Sequence, residues 1–196
     1  MDIEQRNELL QQMLETEMGG VQVYKTALTC VLNDELKEEW EKYLEQTMRH
    51  VTTVETLMSA LGVAPQDTPG RLVVRHIGGS LVAAIKLAKG TAPPEAAEIV
   101  ACECVVHAET KDHANWELLS AYGQATKGEE KKAIDAATDE IEDEEDEHLY
   151  YSKGWCRELS IASLGMKAVL PPPEEQKDVK SAIGAARAKQ ARKELI

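Results

Sequence analysis

The chain has 196 residues and a formal net charge of −13, contains no phenylalanine, and is rich in the helix formers Ala, Leu, Glu and Lys. That length can bury a sizeable core in one domain without disulfide or metal staples. The acidic balance excludes non-specific nucleic-acid binding and adsorption to anionic membranes, both of which need basic surface.

Helical periodicity runs through the whole sequence, and no segment carries the period of a strand. A first helix is expected over residues 3–32, with Asn33 and Asp34 as turn and cap. A second spans 35–61 and stops at Gly62, with Pro65 beyond. After a turn-rich loop comes a shorter apolar segment, 71–89, interrupted by Gly78-Gly79. Pro93 and Pro94 then introduce a third long helix over 95–122. A turn at 123–128 leads to the fourth, over 129–164, and Gly165 with Pro171-Pro172-Pro173 ends it. The expected fold is all-α: an antiparallel four-helix bundle over residues 1–170, built from two hairpins joined by a long crossover that holds a short helix. Residues 171–196 form a Pro-initiated helical tail. It is either solvated or an arm packing on another subunit through Ala182, Ile183, Ala186 and Leu195.

Bundle helices bury positions three and four apart. The stripe of the first helix includes Leu10, Met13, Glu17, Val21 and Tyr24, and that of the second includes Trp40, Tyr43, Thr47, His50 and Val54. The third gives Cys102, Val106, Glu109, His113 and Trp116, and the fourth Ile141, Glu145, His148, Ser152 and Trp155. Near the middle of these apolar stripes, Glu17, His50, Glu109, Glu145 and His148 turn inward. Buried carboxylates are costly unless satisfied, and a divalent metal satisfies them more fully than scattered salt bridges do. Depth is a separate test. The midpoint of Glu17 and His50 falls at the first turn, and that of Glu109 and His148 at the second, so each pair is level across its hairpin.

These residues resemble the ferritin-like superfamily. Its di-metal members use one Glu from each of two helices and a Glu-x-x-His from each of the other two. Glu145-Asp146-Glu147-His148 is similar to the second pattern, Glu17 and Glu109 to the single glutamates, and His50 to the other histidine. The surroundings of His50, the stretch Val106-His107-Ala108-Glu109 and the inserted segment 71–89 look like the bacterial stress-associated YciF-type and rubrerythrin-like proteins. The resemblance implies iron or manganese, one or two ions per chain, and chemistry on dioxygen, peroxide or ferrous iron. The chain departs from the pattern at Thr47, which stands where a bridging carboxylate is expected. Asp112 or His113, one turn after Glu109, and Glu142, one turn before Glu145, are the candidate replacements. A remodelled pair of metals and a single metal both stay open, as does a non-catalytic structural bundle.

Cys30, Cys102, Cys104 and Cys156 form no CxxC pair, so reduced thiols and a cytoplasmic location are expected. The first residues have neither the basic start nor the apolar stretch of a signal peptide, and no apolar run reaches the roughly 18 residues of a membrane span. Phosphate-loop, dinucleotide, GxSxG and HExxH motifs are absent, so any chemistry belongs to the metal site. Tyr24, Trp116 and Trp155 read as core packing, His76 and His107 as structural or surface groups. A homodimer or higher homo-oligomer is expected.

Overall fold

The computed structural model describes residues 2–180, 183 and 187–191, with Glu140 described through its backbone. Through residue 180 the helices are, in order, α1 (Ile3–Ala27), α2 (Asp34–Ala60), α3 (Pro69–Thr91), α4 (Pro94–Ala125), α5 (Gly128–Ser163) and α6 (Pro173–Lys177). Local chemistry sets most of their starts. Asp2, Asn33 and Thr68 cap α1, α2 and α3 by accepting from first-turn amides. Pro69 and Pro94 stand where a missing N–H costs nothing.

Two elements differ from the sequence-based expectation. The first helix ends at Ala27 rather than near residue 32. The buried Glu98 carboxylate accepts from the backbone amides of Leu32 and Asn33 at 2.7 and 3.1 Å. Those amides would be consumed inside a longer helix. The crossover helix, in turn, is neither short nor interrupted: α3 runs 23 residues through Gly78-Gly79. At about 1.5 Å per residue it is roughly 35 Å long, enough to carry the chain back along the bundle. Gly78 faces Gly19 across the α1–α3 contact, where a methyl built on it would stand at an ordinary 3.6 Å from the Gly19 Cα, while Gly79 faces open space.

The helices α1, α2, α5 and α4 form a closed ring of neighbours, and α3 lies against α1 and α4. The side-chain contacts set the directions. Gln11 reaches Ala64 while Glu17 faces His50, so α1 and α2 are antiparallel. His113 meets Asp146 and Glu109 meets His148, so α4 and α5 are antiparallel too.

The apolar core has two parts. One gathers Tyr24, Trp40, Tyr43, Cys102, Val105 and Trp155, with Ile85 from α3. The other gathers Leu10, Met13, Val54, Leu119, Ile134 and Ile141. Between them lies a layer of polar side chains, described below.

The tail begins on this chain's own surface. α6 packs on α5, with Glu174 fully buried in a bidentate pair with Arg157 and Glu175 accepting from the Trp155 indole. Of the four apolar tail positions, Ile183 is exposed, and Ala182, Ala186 and Leu195 lie outside the described residues. No described helix is long and apolar enough to cross a membrane.

Candidate metal centre

Six side chains converge in the polar layer: Glu17 from α1, His50 from α2, Glu109 and Asp112 from α4, and Glu145 and His148 from α5. Each is at most 4% exposed. The level pairing inferred from the hairpins has its counterpart in distance. His50 Nδ1 lies 3.7 Å from Glu17 Oε2, and His148 Nδ1 lies 3.6 Å from Glu109 Oε2. Glu145 stands between the two halves, its Oε1 3.1 Å from His50 Nδ1 and 3.7 Å from His148 Nδ1. Ligand atoms of His50, Glu145 and His148 all lie within 4.8 Å of one another, and so do those of Glu17, Asp112 and Glu145. Glu145 belongs to both groups.

The outward nitrogens of both histidines are engaged. His50 Nε2 is 2.8 Å from Glu144 Oε2, and His148 Nε2 is 3.1 Å from Gln46 Oε1. Glu144 can only accept, so His50 carries its proton on Nε2. Gln46 turns its amide group to Glu144 and its carbonyl oxygen to His148, which sets the second tautomer in the same way. Both Nδ1 atoms therefore present lone pairs to the centre, the arrangement a metal-ligating histidine needs. It follows that the short His50–Glu145 contact sets one acceptor against another.

Several central atoms are without hydrogen-bond partners among the described residues: both Nδ1 atoms, Glu17 Oε2, Glu109 Oε2, Asp112 Oδ1 and both oxygens of Glu145. Orphaned acceptors in a protein interior are rare and costly. Here they point at one another, as the donor atoms of a cation site do. In the metal-free protein protons take that part. Burial, and then the neighbouring Asp112 and Glu145 charges, raise the Glu17 carboxyl well above its ordinary range. Burial and Glu145 do the same to Asp112, which lies close enough to Glu17 to share a proton. Burial and Glu109 push Glu145 up to about 8. Glu144, opposed by its own burial, is held low by hydrogen bonds from Gln46 and His50.

Of the three replacement candidates, Asp112 joins the cluster. His113 does not: it is half-buried and turns its Nε2 to Asp146 Oδ1 at 2.8 Å. Glu142 is exposed on the outer side of α5. Thr47 takes no part either. Its hydroxyl donates back to Tyr43 O at 2.8 Å, and its methyl packs at Gly20. Trp116, read as packing, also donates its indole N–H to Glu17 Oε1 at 2.9 Å. Tyr43 lies against the His148 ring, with centroids 4.4 Å apart. The sequence reading overlooked Gln46 and Glu144. Gln46 had a signal, standing one turn before His50; Glu144 was hidden in an acidic run.

No family model matches the chain, and no curated protein or solved structure does so either. What the helices and this cluster define is a helical protein whose buried Glu, Asp and His side chains are placed to hold a metal ion.

Proposed function

We propose that this is a ferritin-like di-metal carboxylate protein holding two divalent iron or manganese ions. One observation carries the reading: Glu145 is shared by two ligand groups in a layer of four carboxylates and two neutral imidazoles. Four carboxylate charges balance two divalent cations. Oxygen and imidazole donors in these numbers suit iron or manganese. Glu17, His50 and Asp112 would hold one ion and Glu109 and His148 the other, with Glu145 within reach of both. Asp112 thus supplies the carboxylate that Thr47 lacks. The ring of four antiparallel helices also supports the ferritin-like assignment.

When bound, such a pair supplies redox chemistry on dioxygen, peroxide or ferrous iron. The chain's own residues define the setting. Glu144 and Gln46 hold the imidazoles in the ligating tautomer, Trp116 orients Glu17, and an apolar cluster closes the layer on either side. Elemental analysis of protein purified from iron- or manganese-supplemented cells should find about two ions per chain. Peroxide decomposition and ferrous-iron oxidation should follow the metal content. Protein that holds no metal from either medium removes the proposal.

A second reading rests on the proton that Glu17 and Asp112 can share. The layer would then be a protonated structural network in a non-catalytic bundle. Glu145→Gln separates the two. It lowers metal affinity by more than about tenfold in the first case and leaves metal content unchanged in the second.

Self-association remains part of the proposal. Leu72, Val73, Ile77 and Leu87 project exposed from α3 and offer it an apolar surface. Light scattering that finds only monomer at working concentration would dispose of it.

A further inference from the structure

A cavity of about 310 Å³ opens between α4 and α5. Its mouth is at the exposed Glu117 and Glu142, and Glu145 and Trp116 belong to its lining. This ties the cavity to the layer already described, because Glu145 is 2% exposed and both its oxygens lack partners. The walls between mouth and floor carry the His113–Asp146 pair, 2.8 Å apart. Lys180, which follows α6, also lines the cavity. Its Nζ is 3.7 Å from Asp146 Oδ2 and 5.4 Å from the centre of the Tyr150 ring.

We propose that this cleft is the inlet by which hydrated divalent cations reach Glu145, and that Lys180 is a resident counter-cation at Asp146 which an arriving ion displaces. The inference rests on the metal-centre reading and adds its route and its substrate class. The space admits a divalent ion with a first shell of about six waters. Glu117, Glu142 and Asp146 draw cations inward and repel anionic substrates, since a cleft lined with one sign of charge concentrates the opposite ion. Carboxylates along the walls can replace shell waters one at a time, so the ion need not be stripped in a single step. Lys180, the one Lys or Arg lining the cleft among the described residues, belongs to the C-terminal segment. Tail docking through Glu174 and Glu175 therefore sets how strongly Asp146 is held.

The test follows cobalt(II) binding to metal-free full-length protein in a stopped-flow spectrometer at low salt, reading rate and final absorbance separately. Glu117→Gln combined with Glu142→Gln should slow binding about tenfold, and Lys180→Gln should speed it about threefold. Final absorbance should match the parent in both, because none of the three residues is a ligand. Glu45→Gln with Glu55→Gln, an equal charge change on exposed positions of α2, should leave the rate near that of the parent. Unchanged rates in the cleft variants, with the same final absorbance, overturn the route and leave the metal centre standing. Equal slowing by the α2 pair also overturns it, as it assigns the effect to overall charge. A parent protein that binds no cobalt instead removes the metal centre itself.

Discussion

Asp112 and Glu145 face each other across the α4–α5 hairpin, with an oxygen of each, and one of Glu17, all within 4.8 Å of one another. In the proposed metal centre this contact makes up for Thr47. The carboxylate absent from α2 is supplied from α4, one turn beyond Glu109, so the half of the layer near His50 keeps an acidic donor set.

Asp112→Asn should therefore empty that half selectively. Metal content is expected to fall from about two ions per chain to about one, with Glu109, His148 and Glu145 still holding the second. Elemental analysis after dialysis decides the matter, and a variant that keeps both ions removes Asp112 from the ligand set.

Gln46 touches no central atom, yet it fixes His148 through Nε2 and braces Glu144. Gln46→Ala should weaken metal affinity by about 10- to 100-fold while leaving helix content unchanged. Competition with a chromophoric chelator measures the affinity and circular dichroism the fold. An unchanged affinity would mean that the tautomer is held by other contacts.

The metal-free protein should lose stability as the pH rises. In the folded state Glu145 titrates at about 8 against an ordinary value of 4.5, and Glu17 and Asp112 are raised in the same direction. A raised folded pKa means that the native state binds its proton more tightly than the unfolded chain does. That stability is complete below about pH 4.5 and disappears as the pH passes about 8. Glu15, held low chiefly by its hydrogen bond from Arg75, acts only below this window. Melting in the presence of a chelator should show a midpoint falling from pH 5 to 8.5. Added manganese should restore it at the upper end, where metal replaces protons. A midpoint that is flat or rises with pH in the chelated protein contradicts the electrostatics of the layer.

Docking of the tail depends on a buried charge. Glu174→Gln removes the bidentate partner of the Arg157 guanidinium, which keeps Glu158, and should cost about 2 kcal/mol in urea unfolding. Gly154→Ala offers a steric counterpart, because its methyl would meet Glu174 Oε2 at 2.7 Å and Pro172 Cβ at 2.8 Å. Both variants should expose the tail to limited proteolysis ahead of the bundle. Parent-like cleavage would show that α6 is held by other contacts.

Much of the architecture was legible in the sequence because helices are local. The run of Leu10, Met13, Glu17, Val21 and Tyr24 gives a face, Asn33 gives a cap, and equal distances from a turn give depth. These rules depend on rise and angle per residue, which any α-helix shares. They sufficed to bring Glu17 level with His50, and Glu109 level with His148.

The choice among Asp112, His113 and Glu142 depended on the tertiary structure. Asp112 and His113 stand three and four residues after Glu109, and Glu142 stands three before Glu145. All three fall near the inward stripe, and helical phase alone cannot rank them. Which one enters the layer depends on where the facing helices place their atoms. Asp146 captures His113 from the side, the surface takes Glu142, and the gap beside Glu17 and Glu145 receives Asp112. The reading of Gly78-Gly79 failed for the same reason. A glycine pair looks like a break when the chain is considered alone, but packed along α1 the helix α3 continues through it.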